Sequence, residues 1–183
     1  YPIQKFIVDD SICMIRRLRI GVLGCAQIAK RSVIPAIKSI EGFELVAVAS
    51  RTAEKAQEFS KKFDCEGIAG YQNLIDREDI EAVYMPLPTG MHEEWATKTL
   101  ETGKHVHIEK SFALDHSSAE RIISKAKEQK LLIMENMMFL YHGQHTFVKE
   151  LISDGVIGDL RCFRSSFGFP PLPAVNFRYK KGL

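Results

Sequence analysis

The chain has 183 residues, 45% hydrophobic and 26% charged, a composition typical of a globular protein with one substantial core and room for part of a second domain. The formal net charge of +2 gives no single-sign field for nucleic acid or an anionic membrane, and no apolar run has the length of a membrane span. The four cysteines are far apart and form no C-x-x-C pair, so we predict packed, reduced thiols, a cytoplasmic location and no metal site.

The N-terminal stretch allows two interpretations. Residues 1–13 have no clear period, and we interpret them as an extension that precedes a natural start at Met14. The VLGC sequence at Val22–Cys25 resembles a lipoprotein cleavage box. Arg19, however, interrupts the run before it, leaving about five apolar or small residues where roughly seven to fifteen are needed. We therefore interpret VLGC as part of a turn in a domain that contacts no membrane.

Residues 14–140 alternate short β-branched runs with amphipathic stretches, which is typical of a doubly wound parallel sheet of the Rossmann type. The pattern predicts strands at Arg19–Leu23, Glu44–Ala49, Gly67–Ile68, Ile80–Met85, His105–Ile108 and Leu131–Met134. It predicts helices at Ile28–Ile40, Ala53–Lys62, His92–Thr102 and Ser117–Gln129, with a short turn at Tyr71–Asp76. Thr52 and Ser117 are the predicted N-terminal caps, and Gly103 is the predicted helix stop.

The pattern changes in residues 141–183. A helix at Gln144–Ser153, a turn at Asp154–Gly158 and a long strand at Asp159–Phe169 predict the start of a second, α+β domain. No further strand follows to pair with the last one, so this domain is predicted to be incomplete.

The first strand is followed by a candidate dinucleotide-binding turn. Gly24-Cys25-Ala26-Gln27-Ile28-Ala29 has the spacing of G-x-G-x-x-G/A. Gly24 makes the tight turn, Ala26 takes the second glycine position, and the amides near Gln27 and Ile28 point at a pyrophosphate. By itself this motif is a weak signal.

The second strand ends in Ser50-Arg51-Thr52, about twenty residues after Ala29, where an NAD site usually places an acid. No acid is present. Arg51 can pair with a 2′-phosphate, with Ser50 and Thr52 as hydroxyl donors and Lys55 one helical turn further on. This favours NADP over NAD, although a solvated arginine at a helix start is the common alternative.

Two further strand ends carry candidate residues. Leu87, Pro88 and His92 lie in a rigid loop that suits the nicotinamide and its ribose, although a proline-rich connection explains the loop equally well. Glu109 and Lys110 follow the fifth strand, where a lysine can donate to a substrate oxygen. A surface ion pair between the two is the structural alternative.

Together these stretches resemble the Gfo/Idh/MocA family of oxidoreductases. IGVLGCAQIAKR, VAVASRT, VYMPLPTGMHEEWATKTLETGKHVHIEKSFAL and VKELISDGVIGDLRCF are similar to its successive signatures. The resemblance implies that Lys110, in the family's E-K-P motif, contacts cofactor and substrate. Ser111 stands where the family usually has proline, sometimes after a cis peptide bond. The T-P-N-x-x-H loop keeps Pro88 and His92 but not the asparagine.

The resemblance implies an NADP-dependent oxidoreductase that transfers a hydride between nicotinamide and a carbinol or ketone carbon of a sugar or nucleotide sugar, a homo-oligomer when complete. Glu109 favours the charge of Lys110, and His142, Asn176 and Arg178 are candidates for the substrate border. The family's D-x-G-x-H/Y motif, which carries the acid/base residue, does not occur in these residues. We therefore expect cofactor binding with poor turnover. An NADP-sensing, non-catalytic regulator and an inert packing module are the alternative functions.

Overall fold

The strands form one sheet in which every pairing is parallel. The computed structural model describes residues 16–168 and 170, so the predicted extension and the candidates Asn176 and Arg178 lie outside the described residues. The strand order is β3-β2-β1-β4-β5-β6. The strands are β1 Leu18–Leu23, β2 Phe43–Ser50, β3 Glu66–Ala69, β4 Ala82–Met85, β5 His105–Ile108 and β6 Ile133–Glu135. This order confirms the predicted Rossmann-type sheet.

The predicted helices are present with small changes at their ends. The first predicted helix divides into a π-helical turn, Ala29–Val33, and a following α-helix. The α-helices are α1 Ile34–Ser39, α2 Ala53–Phe63, α3 Tyr71–Ile75, α4 His92–Glu101, α5 His116–Gln129 and α6 Gly143–Ser153, with 3-10 turns at Thr89–Met91 and Met138–Tyr141. In the described part of the chain, none of these helices has the length and apolar character needed to cross a membrane.

Helices cover both faces of the sheet, which explains the nearly continuous apolar strands. Neighbouring residues of a strand point to opposite faces, and on β1 both Val22 and Leu23 are fully buried. Val22 belongs to a core that includes Phe59 of α2. Leu23 belongs to the core on the other face, with Leu100 of α4 and Ile122 of α5. The sheet therefore packs between two layers of helices.

Helix ends show which cap predictions hold. Gly103 has φ +77° directly after α4, as predicted for a helix stop. Helix α5 begins one residue before the predicted cap Ser117, and Asp115 caps it by accepting the Ser118 N–H at 2.7 Å. The prediction of Ser117 was wrong, because Ser117 lies inside the first turn of α5 and the Asp115 carboxylate accepts the Ser118 N–H. Thr52 holds the N-cap position of α2, but its side chain makes no capping hydrogen bond.

The predicted strand Asp159–Phe169 is not observed. Residues 159–168 are irregular and exposed, and Phe169 lies outside the described residues. A strand needs a neighbour for its backbone hydrogen bonds, and none of the six described strands lies beside this segment. Helix α6 confirms the predicted helix, but it buries no residue, and the division into two domains stays a prediction.

Candidate functional site

A sharp turn follows β1 at the carboxyl edge of the sheet. Gly24 has φ +127°, and its N–H donates to the Ala49 carbonyl at 3.0 Å. A Cβ atom at this position would lie 2.9 Å from Cδ2 of Leu87. The positive φ therefore requires glycine here, while the contact with Leu87 could be relieved by movement of that side chain. This tight turn has the backbone shape that is typical of a dinucleotide-binding turn.

A helix N-terminus begins directly after this turn. The Ala26 N–H donates to the Gly24 carbonyl, and the Lys30 N–H donates to the Ala26 carbonyl, both at 3.0 Å. Gln27 is exposed and Ile28 is half-buried. The first amides of a helix have no partner within the helix, so this end attracts anions such as phosphate. The predicted pyrophosphate position is thus geometrically available.

Cations follow β2 beside this turn. Ser50 is buried, and Arg51, Thr52 and Lys55 are exposed. Burial raises the pKa of the Cys25 thiol to about 11, and the nearby charge of Lys55 opposes this rise. Arg51 acts in the same direction on the hydroxyl of Tyr71, whose pKa burial raises. Two positive side chains therefore stand at the edge where an adenosine 2′-phosphate is predicted.

His92 connects two loops of the site. Its ring is fully buried. Nε2 lies 2.8 Å from the Leu87 carbonyl oxygen, and Nδ1 lies 2.9 Å from that of Ser111. Both ring nitrogens thus face the protein's own backbone. The structure places His92 behind the loop of Leu87 and Pro88, so it supports this loop instead of presenting its ring to a ligand.

Glu109 and Lys110 point in different directions. The Glu109 carboxylate is 9% exposed, and its Oε1 accepts hydrogen bonds from the Tyr84 hydroxyl at 2.6 Å and from Nδ2 of Asn136 at 2.5 Å. The Lys110 side chain is exposed, and the Lys110–Ser111 peptide bond is cis. The two residues form no ion pair, because Glu109 turns inward. The surface ion pair considered above is therefore not formed, and neither is a direct charge contact that supports Lys110.

Tyr84 and Asn136 also belong to this site: Glu135 and Asn136 are the polar groups predicted at this edge by the end of the sixth strand, whereas Tyr84 was not predicted. Tyr84 is almost fully buried, and burial together with the Glu109 contact raises its pKa. A tyrosine inside an otherwise apolar strand was the available signal, since a buried hydroxyl needs a partner. Asn136 follows β6 and continues the ladder by donating its N–H to the Ile108 carbonyl at 2.8 Å.

The predicted substrate residue His142 lies at the start of α6. Its Nδ1 accepts the Gln144 N–H at 3.1 Å, so the ring caps the helix. Four of the predicted parts of the site lie at one edge of the sheet, because the strands that carry them are neighbours. They are the turn at Gly24, the cations after β2, the loop of Leu87 and the turn at Lys110.

Comparisons with known proteins agree with this architecture. The chain is 48% identical over 170 residues to a dTDP-3,4-didehydro-2,6-dideoxy-alpha-D-glucose 3-reductase of Saccharopolyspora spinosa, covering 93% of this chain and 51% of that protein. A protein of the same name from Actinomadura kijaniata is 44% identical, with 89% and 49% covered. The crystal structure of KijD10, a 3-ketoreductase from Actinomadura kijaniata in complex with NADP and TDP-benzene, superposes with a TM-score of 0.88 at 43% identity, covering 91% of this chain and 51% of that one.

The chain spans about half the length of these relatives. A family model described as "Oxidoreductase family, NAD-binding Rossmann fold" matches residues 18–137, which include all six strands. The chain belongs to the Gfo/Idh/MocA oxidoreductase family.

Proposed function

We propose that this chain is the nucleotide-binding half of an NADP-dependent reductase that acts on the 3-keto group of a dTDP-linked deoxysugar. The observation that carries the proposal is the exposed Lys110, at the same sheet edge as the turn of Gly24. The names of the two reductases and the ligands of KijD10 support the substrate class. The cytoplasmic location stays a prediction from the separated thiols.

The residues at this edge fit NADP. Gly24 has no side chain that could stand between the turn and a pyrophosphate, and the first amides of the helix after it have no partner within the helix. Arg51 and Lys55 supply positive charge for the 2′-phosphate, with Ser50 and Thr52 as hydroxyl donors. When bound, the cofactor supplies the hydride at C4 of its nicotinamide.

Lys110 acts on the oxygen of the reacting carbon. Its ammonium donates a hydrogen bond to the ketone oxygen and stabilises the negative charge that develops there as the carbon is reduced. Glu109 does not share this proton, since its carboxylate is held by Tyr84 and Asn136. It anchors the start of the turn instead. The proton that completes the alcohol comes from a residue outside this set, which the family places in its D-x-G-x-H/Y motif.

The cofactor assignment is tested by titrating the protein with NADPH and NADH through nicotinamide fluorescence. Hydrogen bonds to charged groups contribute roughly 1.5–3 kcal/mol, so Arg51→Ala is expected to weaken NADPH binding by about 10–100-fold and leave NADH binding unchanged. Arg17→Ala is the control, because Arg17 precedes β1 at the opposite edge of the sheet. Equal affinities for the two cofactors, unaffected by Arg51→Ala, would refute the 2′-phosphate assignment.

The enzyme is distinguished from an NADP-sensing regulator by Lys110→Ala. In the full-length protein with both halves, a reductase carrying this variant loses turnover of dTDP-3,4-didehydro-2,6-dideoxy-α-D-glucose, the sugar in the relatives' names, while NADPH still binds. A regulator keeps NADP-dependent binding of its partner protein in the same variant. Unchanged turnover after Lys110→Ala contradicts the proposed mechanism.

A further inference from the structure

Two side chains hold the backbone that follows Lys110. The Phe112 N–H donates to Oε1 of Glu135 at 2.8 Å. On the other side, Nδ1 of His92 lies 2.9 Å from the Ser111 carbonyl oxygen and 3.2 Å from that of Phe112. His92 comes from α4 and Glu135 from β6, two elements that lie far apart in the sequence. We call this pair, His92 and Glu135, the lysine clamp.

The Lys110 side chain depends on this backbone for its position. The ammonium is exposed, and among the described residues no side chain forms an ion pair with it. The last ladder contact before it is the Glu109 N–H, which donates to the Met85 carbonyl at 3.1 Å. The next anchors along the chain are the two contacts of the clamp. Lys110 therefore lies in a short backbone segment, here called the bridge, that is held by contacts at Glu109 before it and at Ser111 and Phe112 after it.

The clamp also lies against the loop of Leu87 and Pro88, which is predicted to hold the nicotinamide. The second ring nitrogen of His92 contacts the Leu87 carbonyl at 2.8 Å, and Leu87 packs under Gly24. One fully buried ring thus lies between the loop after β4 and the turn after β5, and an imidazole with one N–H donates to the carbonyls of one side at a time. A shift of the Lys110 turn relative to this loop changes the distance between the amine and any carbonyl that is bound against the nicotinamide.

We propose that His92 and Glu135 are positioning residues for Lys110, a role that rests on the proposed function. They fix the Ser111–Phe112 backbone so that the ammonium meets the reacting oxygen. They do not contact the 2′-phosphate end of the cofactor, where Arg51 stands. A misplacement of about 1 Å at a reacting group can lower a rate by about 100-fold. Loss of the clamp therefore lowers kcat and leaves NADPH affinity almost unchanged.

Glu135 carries the primary test, because it is half-buried and its replacement disturbs the core less than a change at His92. Glu135→Leu removes the acceptor, whereas Glu135→Gln keeps an oxygen for the Phe112 N–H. In the full-length protein with both halves, we expect Glu135→Leu to lower kcat with the dTDP-linked ketosugar by about 10–100-fold, with the NADPH Kd within threefold. Glu135→Gln restores most of the rate. Glu44→Leu, at an exposed position of β2, is the control.

Two measurements do not depend on turnover. Amide hydrogen exchange at Phe112 is expected to accelerate at least tenfold in Glu135→Leu and to stay slow in Glu135→Gln. The acylation rate of the Lys110 amine by acetic anhydride, relative to the exposed Lys127, is expected to change at least threefold in Glu135→Leu. If no dTDP-sugar is reduced, the proposed function fails and these two measurements still decide the clamp. Unchanged exchange and acylation overturn the proposal, and so does faster exchange with unchanged kcat.

Discussion

Replacing Gly24 by alanine perturbs the turn that follows β1 in a way that the structure lets us separate into two causes. At φ +127° an L-residue is strained, at a cost of roughly 1–3 kcal/mol. The added Cβ also lies 2.9 Å from Cδ2 of Leu87. That atom is the end of a flexible side chain and can move, so the strain dominates. We expect Gly24→Ala to lower the free energy of unfolding by about 2 kcal/mol and Tm by roughly 5 °C.

The same change is expected to weaken NADPH binding at least tenfold, because the amides after Gly24 move with the turn. Urea denaturation without ligand and fluorescence titration with NADPH measure the two effects separately. Gly42→Ala is the matched control, since a Cβ at Gly42 meets no atom within 4 Å and its backbone has no positive φ. In a double-mutant cycle with Leu87→Ala, which destabilises the core by itself, the coupling between the two changes should be small compared with the effect of Gly24→Ala. Wild-type stability of Gly24→Ala, or a coupling energy as large as the whole effect of Gly24→Ala, would refute the reasoning.

Two further predictions concern a thiol and a helix cap. Burial raises the pKa of Cys25 to about 11, so its thiol is neutral at pH 8, and iodoacetamide should alkylate the exposed Cys162 well before Cys25; peptide mass spectrometry measures the order, and faster labelling of Cys25 contradicts it. Asp115→Ala should lower Tm while Ser117→Ala leaves it unchanged, because the Asp115 carboxylate caps α5 through the Ser118 N–H. That hydrogen bond holds the pKa of Asp115 below its usual value. The cap therefore stabilises the fold above the unfolded-state pKa, and this stabilisation is lost as the pH falls through the lowered pKa. Equal Tm differences between wild type and Asp115→Ala at neutral pH and below that pKa would contradict this sign.

The residues at the carboxyl edge of the sheet could be predicted, because each strand has a local sequence pattern. Alternating apolar runs and helical periods identified six strands, and parallel strands in a Rossmann sheet bring their carboxyl ends to one side. Gly24, Arg51 and Lys110 could therefore be assigned to one site without any knowledge of their distances. The missing acid after β2 carried the prediction of NADP, since it is a property of one short segment.

The directions of side chains were not predictable in the same way. Glu109 and Lys110 are adjacent, and only packing decides that the carboxylate turns inward to Tyr84 and Asn136 while the amine stays exposed. His92 is likewise buried by contacts with backbone carbonyls of two distant loops. Such hydrogen bonds join residues that are separated by many positions, so no local period records them.

The amino-acid sequence by itself determined the order of elements, the glycine turn and the chemical groups at the strand ends, because these depend on periodicity and on the backbone preferences of single residues. Tertiary structure alone decided which of these groups face solvent and which brace the turn of Lys110. The segment after Asp159 shows the same limit, since its β-like pattern becomes a strand only where a neighbouring strand accepts its hydrogen bonds. Local chemistry placed the site at the sheet edge, and long-range hydrogen bonding oriented it.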